Sequence, residues 1–347
     1  MKKAFKAIGY LLLALAVVAG CGVSWLALRS PAMRPAPAES IQKTPERLAR
    51  GEYLAHHVTD CFGCHSEHPQ DRYGFPVTPG TLGKGQVIAR DRKSFPGTLA
   101  AANITPDPET GLGRWTDGEV LRALREGVDR DGKALFPMMP YGVWAELSDE
   151  DAKAIVAYLR TIPSVASHLP PTRIKFPVNL FIKFAPRPLH GPVAAPAPSD
   201  HLAYGKYLTT IAGCLFCHTP QDDKHRPIPG KEFSGGQVME TTSGQRVVTA
   251  NITPHPDTYI GQSTREQFIG RVKSFASINA ENAPVAPKGR NTLMPWLAYA
   301  GMTDADLGAI YDYLKTVPAI ANKVNPFPDA EPGTEQKLAS SATAPPR

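Results

Sequence analysis

The sequence predicts a mostly α-helical chain in which two tandem copies of one small domain follow an N-terminal membrane anchor. Three observations predict it. An uncharged apolar run lies near the N-terminus, a set of motifs recurs at an almost constant offset, and both copies carry helix-type apolar spacing behind capping residues. At 347 residues the chain is long enough for each copy to bury its own core. An apolar fraction of 42% with 20% charged residues is that of a globular protein. The 35 prolines cluster, and so mark joints between units.

The anchor spans residues 1–28. Lys2, Lys3 and Lys6 precede an uncharged stretch from Ala7 to Leu28, closed by Arg29. Twenty-two residues at the helical rise cover about 33 Å, enough to cross a bilayer core. The lysine flank would stay in the cytoplasm, which places the rest on the periplasmic side of an inner membrane. Val18-Ala19-Gly20-Cys21 offers a second reading, a lipoprotein signal with the lipid on Cys21, and cleavage with full release is a third. The apolar run continues past Cys21 through Val23, Trp25, Leu26 and Leu28, which favours the retained helix. Residues 29–44, rich in Pro and Ala, are expected to be a flexible tether.

The duplication is visible within the chain itself. Gly51-Glu52-Tyr53-Leu54 returns as Gly205-Lys206-Tyr207-Leu208, an offset of 154. Asn103-Ile104-Thr105-Pro106 recurs as Asn251-Ile252-Thr253-Pro254, offset 148, and Met139-Pro140-Tyr141 as Met294-Pro295-Trp296, offset 155. These positions define domains at 45–163 and 201–325. A proline-rich strap, 164–200, joins them. With Leu180, Phe181, Ile182 and Phe184 in it, the strap is expected to pack across both domains. Residues 326–347 are expected to be a disordered tail.

Within each copy an opening helix (46–58, then 200–212) leads to a cysteine motif, and a loop-rich stretch runs on to the Asn-Ile-Thr-Pro turn. Thr116 with Glu119, and Thr264 with Gln267, are capping-box pairs that start a middle helix. Ser148 with Asp151, and Thr303 with Asp306, cap a last helix whose apolar residues fall at i, i+3, i+4 and i+7. Pro163 and Pro318 stop it. In the second copy, Ser243-Gly244 between short β-prone runs predicts a hairpin insertion over 235–250.

Four of the five cysteines form two copies of one pattern, Cys61-Phe62-Gly63-Cys64-His65 and Cys214-Leu215-Phe216-Cys217-His218, 153 residues apart. Cys-x-x-Cys-His is the attachment signature of haem c. Two thiols one helical turn apart can add to the two vinyl groups along one porphyrin edge, and the following histidine is then carried under the ring to bind iron. A zinc half-site or a redox disulfide is the bland alternative for one Cys-x-x-Cys. Two copies, each with His and behind an export signal, point instead to two haem c groups. Methionine is the soft sixth ligand suited to electron transfer. Of the seven methionines only Met139 and Met294 occupy equivalent places, 74 and 76 residues past His65 and His218, and each is followed by Pro and an aromatic residue. They are the expected partners of His65 and His218 on iron. Met138 and Met302 are expected in the core. The remaining histidines, including His56, His57, His68 and His225, have no matched counterpart and are expected mostly on the surface or in linkers.

The succession Gly-x-Tyr-Leu, Cys-x-x-Cys-His, the run Asn103 to Gly113 and Phe136-Pro137-Met138-Met139-Pro140-Tyr141 resembles the cytochrome c subunits of membrane-bound alcohol, aldehyde and gluconate dehydrogenases. The resemblance covers residues 45–325. It implies class I cytochrome c folds, His/Met ligation, and electron passage from a periplasmic dehydrogenase towards a cytochrome, quinone or terminal oxidase. It also implies that Gly51 and Gly205 let the first helix of each copy cross the last, near Tyr158 and Tyr313. The chain departs from those subunits in carrying two motifs rather than three, in having Ser263 where the first copy has Trp115, and in its run His255 to Tyr259.

The function this predicts is electron carriage by a membrane-tethered chain, without catalysis of its own. A dihaem electron-entry subunit of a terminal oxidase is the alternative carrier. A dihaem peroxidase is the alternative enzyme, and Met139 and Met294 argue against its open iron site. A thiosulfate-oxidising enzyme would want a cysteine ligand, and the only spare cysteine, Cys21, lies in the anchor. The formal charge of +6 falls to 6 − 3 = +3 without the three anchor lysines, too mild to argue for nucleic acid.

Overall fold

A computed structural model describes residues 2–90, 95–223, 226–241 and 243–330. Its first element, α1 (Lys2–Leu28), is a 27-residue helix with no buried residue, long and apolar enough to cross a membrane by length and composition. The rest is mostly helical, with two short sheets.

The first half opens with α2 (Pro45–Tyr53), capped by Thr44 and started by a proline at its first turn, where a missing N–H costs nothing. The helix then widens into one π-turn, Leu54–Val58, in which the Thr59 N–H donates to the Leu54 carbonyl. This accounts for a small irregularity of the duplication. Cys61 lies ten positions past Gly51, but Cys214 nine past Gly205, and a π-turn absorbs one extra residue without breaking the helix. Next come α3 (Cys61–His65), α4 (Asp117–Glu126), α5 (Tyr141–Trp144) and α6 (Asp149–Leu159). After α7 (Val178–Phe181) in the strap, the second half repeats the order. It has α8 (His201–Ile211), α9 (Cys214–His218), a short α10 (Tyr259–Gln262), α11 (Arg265–Lys273), α12 (Trp296–Tyr299) and α13 (Asp304–Leu314). Complete capping boxes start α4 at Thr116 and α11 at Thr264, as their sequences predict.

Each half is built on a close helix crossing. A Cβ on Gly51 would strike the Ala154 carbonyl on α6, and one on Gly205 would strike the Ala309 carbonyl on α13. Only glycine lets α2 meet α6, and α8 meet α13, at that separation. Leu54, Ile155 and Val156 fill the core beside one crossing, and Leu208, Ile211 and Leu307 beside the other.

The halves join through a reciprocal pair of contacts. The Tyr53 hydroxyl donates to Asp306 Oδ2 (2.5 Å) and accepts from the Thr303 N–H (3.1 Å), at the start of α13. Tyr207, its counterpart, donates to Asp151 Oδ2 (2.6 Å) and accepts from the Ser148 N–H (3.1 Å), at the start of α6. Burial and the adjacent carboxylate push both phenols above the ordinary tyrosine range. The residues that recur as Gly-x-Tyr-Leu are therefore seam residues as well as core residues.

Several expectations are corrected. Residues 29–44 are not a loose tether. Ile41 is buried and its N–H donates to Asp117, Arg34 pairs with the buried Glu126 at 2.7 Å, and Glu39 meets Lys153. The strap lies on the first half, through Val165 with Thr105, Ser167 with Thr110 and strand β3 (Arg173–Ile174), and does not wedge its aromatics between domains. Phe181 and Phe184 are exposed, and Leu180 alone of the expected packing residues is buried. The hairpin β4 (Val238–Glu240) to β5 (Arg246–Val248) forms where expected, with Gly244 at positive φ. It is no insertion, because β1 (Gln86–Ala89) and β2 (Gly97–Ala101) make an antiparallel counterpart in the first half, which β3 extends. Residues 326–330 are tied to β5, through Val248 with Pro326 and Arg246 with Asp329, so the expected tail cannot begin at 326. The remainder of that tail, 331–347, and His225 lie outside the described residues.

The seam gives a stability prediction. Tyr53→Phe and Tyr207→Phe each leave a buried carboxylate without the phenol, and the second also leaves the buried Ser148 N–H, which should cost about 1–3 kcal/mol apiece. Urea unfolding followed by far-UV circular dichroism reads this directly; midpoints unchanged in both variants would contradict the assigned role of the seam.

Candidate haem c sites

Short helices α3 and α9 each carry a Cys-x-x-Cys-His motif, so one turn brings both cysteines to the same side. Cys61, Cys64, Cys214 and Cys217 are all free of disulfide bonds. Burial pushes the Cys61 thiol up to about 11. α3 is capped by Asp60, which adopts left-handed φ and accepts from the Gly63 N–H; Gly213 takes the same left-handed place before α9.

The two histidines are held identically. His65 Nδ1 meets the Ala102 carbonyl at 2.7 Å, and His218 Nδ1 meets the Ala250 carbonyl at 2.7 Å. A carbonyl can only accept, so Nδ1 carries the proton and Nε2 keeps its lone pair for a metal. Burial lowers the affinity of both rings for a second proton.

The residues after those carbonyls explain the exact repeat Asn-Ile-Thr-Pro. Asn103 Oδ1 accepts from the N–H and hydroxyl of Thr105, and its amide donates to the Val165 carbonyl at 2.7 Å. Asn251 does the same with Thr253 and the Ile320 carbonyl. Each asparagine locks the loop that presents the carbonyl to the histidine. The sequence marks these positions as a turn but does not disclose this orienting role, because the acceptor is a backbone atom of an alanine.

Met139 and Met294 sit in matching turns. The Tyr141 N–H donates to the Met139 carbonyl and the Trp296 N–H to the Met294 carbonyl, both at 2.8 Å. The prolines between have φ/ψ of −81°/47° and −78°/58°, near an inverse γ-turn. Proline fixes φ there and the aromatic residue begins α5 or α12, so the methionine backbone is set by its two successors.

All eight expected site residues line one continuous cavity of about 2410 Å³. Trp115, Trp144, Trp296 and Tyr299 line it too. Tyr299, buried beside Cys214, Asp60 and Cys217, has its phenol raised well above the ordinary range and donates to the Ala212 carbonyl at 2.6 Å. Trp144, its counterpart, donates to the Ile211 carbonyl at 3.2 Å across the seam. Two aromatic residues thus close the wall where the two sites meet, and sequence reasoning identified neither. Met302 is core, as expected, whereas Met138 is 40% exposed and is not. His56 and His57 are half-buried and bonded, to the Tyr158 hydroxyl at 2.8 Å and the Ala298 carbonyl at 3.0 Å, and are not surface residues.

The donor set fits haem c. Each site offers two unpaired thiols one turn apart, an imidazole with its tautomer fixed, and a thioether from another element, all on one largely apolar cavity.

Comparison with known proteins agrees. Residues 48–163 match the family model for cytochrome c. That match lies within the first half. The chain is 29% identical over 303 residues to the fructose dehydrogenase cytochrome subunit of Gluconobacter japonicus, covering 85% of this chain and 57% of that one. It is 28% identical over 324 residues to the cytochrome c subunit of the quinone alcohol dehydrogenase of Gluconacetobacter polyoxogenes, covering 88% of this chain and 64% of that one. It therefore spans about three fifths of these relatives' length. A diheme cytochrome c-type protein of Cereibacter sphaeroides is 28% identical over 326 residues, 89% of this chain and 97% of its own length.

The cavity wall also makes a pH prediction. Burial, then the neighbouring His57, hold the His56 pKa down at about 4 against an ordinary 6.5. Between those values the unfolded chain binds the proton that the folded chain refuses, so stability is full above the ordinary pKa and falls as pH drops towards the folded one. His56→Gln, which keeps a partner for Tyr158, should make that acid-side decline shallower in urea melts; an unchanged slope would contradict the shift.

Proposed function

We propose that the chain is a membrane-tethered dihaem electron carrier, serving as the cytochrome partner of a periplasmic dehydrogenase and passing electrons towards a cytochrome, quinone or oxidase. In this reading residues 45–163 and 201–325 are tandem cytochrome c domains. Cys61 and Cys64 would hold one haem c through thioether bonds, and Cys214 and Cys217 the other. His65 with Met139 would ligate the iron of the first, and His218 with Met294 that of the second. Haem c, when bound, supplies a one-electron iron couple.

The observation that carries the reading is the matched pair of donor sets opening into one cavity. The protein's own contributions follow from it. The Ala102 and Ala250 carbonyls make the imidazoles better donors by drawing on Nδ1–H. A methionine thioether favours the reduced, less charged state and so suits a carrier. Trp115, Trp144, Trp296 and Tyr299 line the cavity with aromatic surface, which limits the solvent reorganisation that accompanies a change of charge there. The seam tyrosines bond the two halves directly, so the sites keep a fixed separation. The relatives named as cytochrome subunits of dehydrogenases support the donor class. Helix α1, with lysines at its start, supports the tether and the periplasmic side.

Haem quantification by the pyridine haemochrome method should give two covalent haems per chain, falling to one in Cys61→Ser/Cys64→Ser. In the oxidised protein the weak far-red band of iron bound to thioether sulfur should diminish in Met139→His and in Met294→His. One haem per chain, or spectra indifferent to both methionines, would refute the assignment.

A further inference from the structure

The strap between the two halves carries an aromatic and basic face that the site does not use. Phe176, Phe181 and Phe184 are 68%, 57% and 44% exposed. Three large apolar side chains from nine consecutive residues, all turned outward, are costly in water. From Ser164 to Ser199 the chain has no acidic residue, while Arg173, Lys175, Lys183 and Arg187 are basic.

The position of this face distinguishes it from an ordinary exposed patch. Lys183 Nζ donates to the Ala27 carbonyl at 2.6 Å and to the Leu26 carbonyl at 3.3 Å. These are among the last carbonyls of α1, which have no partner within the helix and carry the negative end of its dipole. The Arg29 guanidinium lies over the Phe184 ring at 4.6 Å and over the Trp25 ring at 5.1 Å. The strap therefore grips the end of α1 at the level where the apolar run stops. Trp25 and Leu28, in that last turn, are 57% and 85% exposed.

We propose that residues 173–187 form an interfacial membrane contact: Phe176, Phe181 and Phe184 enter the headgroup layer around the end of α1, and the exposed Arg173 and Arg187 engage anionic phospholipid. The inference rests on the reading of α1 as a membrane-spanning helix. Given that reading, the hydrogen bonds from Lys183 put the strap within a few ångströms of the bilayer surface. Aromatic rings beside cationic side chains suit that layer, which has an apolar floor and a charged roof. One helix alone would leave the body free to swivel about residues 29–30. A second contact through the strap, which is bonded to the first half at Pro96, Ala100 and Thr105, would fix which face of the body looks away from the membrane.

The test uses the full-length holoprotein in vesicles of phosphatidylethanolamine and phosphatidylglycerol containing a diazirine phospholipid, with the photolabelled peptides mapped by mass spectrometry. Label is expected in α1 and also in residues 173–187. Replacing Phe176, Phe181 and Phe184 together by Ser should reduce the strap label about tenfold while α1 label and haem absorbance persist. Label confined to α1, or strap label equal in the triple variant, overturns the proposal and leaves the aromatic face to a protein partner. A holoprotein that neither floats with the vesicles nor takes label in α1 fails the tethering reading itself, and this inference falls with it.

Discussion

One hydrogen bond from side chain to backbone, made twice, governs the rest: Nδ1 of His65 to the Ala102 carbonyl and Nδ1 of His218 to the Ala250 carbonyl. A histidine can give one nitrogen to a metal reliably only if the other is tied to an acceptor. That requirement reaches far into the chain. The carbonyl must be held, so Asn103 and Asn251 lock their loops to Thr105 and Thr253 and to the segments that follow α6 and α13. Those helices must in turn sit close to α2 and α8, which requires the glycines at 51 and 205. Core packing and ligand orientation are thus one connected arrangement in each half.

The same connection joins the two sites. Tyr53 and Tyr207 reach from the first helix of one half to the cap of the last helix of the other, where Asp306 and Asp151 already serve as early helix residues. Within the first half Arg50 holds Asp151 in place, at 2.8 Å through both its Nε and a terminal nitrogen. Burial of these phenols and carboxylates makes the seam expensive to open. A carrier benefits, because electron transfer depends on separation and a bonded seam holds separation constant without domain motion.

Much of this was legible in the sequence, and the parts that were not share a cause. Helices with capping boxes at Thr116 and Thr264, the cysteine motifs and the Met-Pro-aromatic triplets depend on local chemistry, which a chain displays in its own letters. The packing of residues 29–44 and of the strap is not legible, because proline-rich composition reports stiffness and a missing N–H, not what the segment lies against. Ile41 is pulled down by Asp117, and Phe181 and Phe184 face outward beside α1, neither of which periodicity can convey. The β1–β2 pair is not legible because no counterpart of Ser243-Gly244 stands between its strands. His56 and His57 have no counterpart in the second half, yet His57 bonds across the seam to the Ala298 carbonyl while His56 bonds Tyr158 within its own half. The Ala102 and Ala250 carbonyls were invisible for the simplest reason: a backbone acceptor has no letter.

The central claim is that two irons are each closed by a histidine and a methionine and exchange single electrons. A potentiometric titration of the purified full-length holoprotein, followed optically under carbon monoxide, tests it most directly. The account predicts two one-electron components and a reduced spectrum that carbon monoxide leaves unchanged, since neither iron has an open position. A single component, or a reduced spectrum shifted by carbon monoxide at either haem, would contradict it.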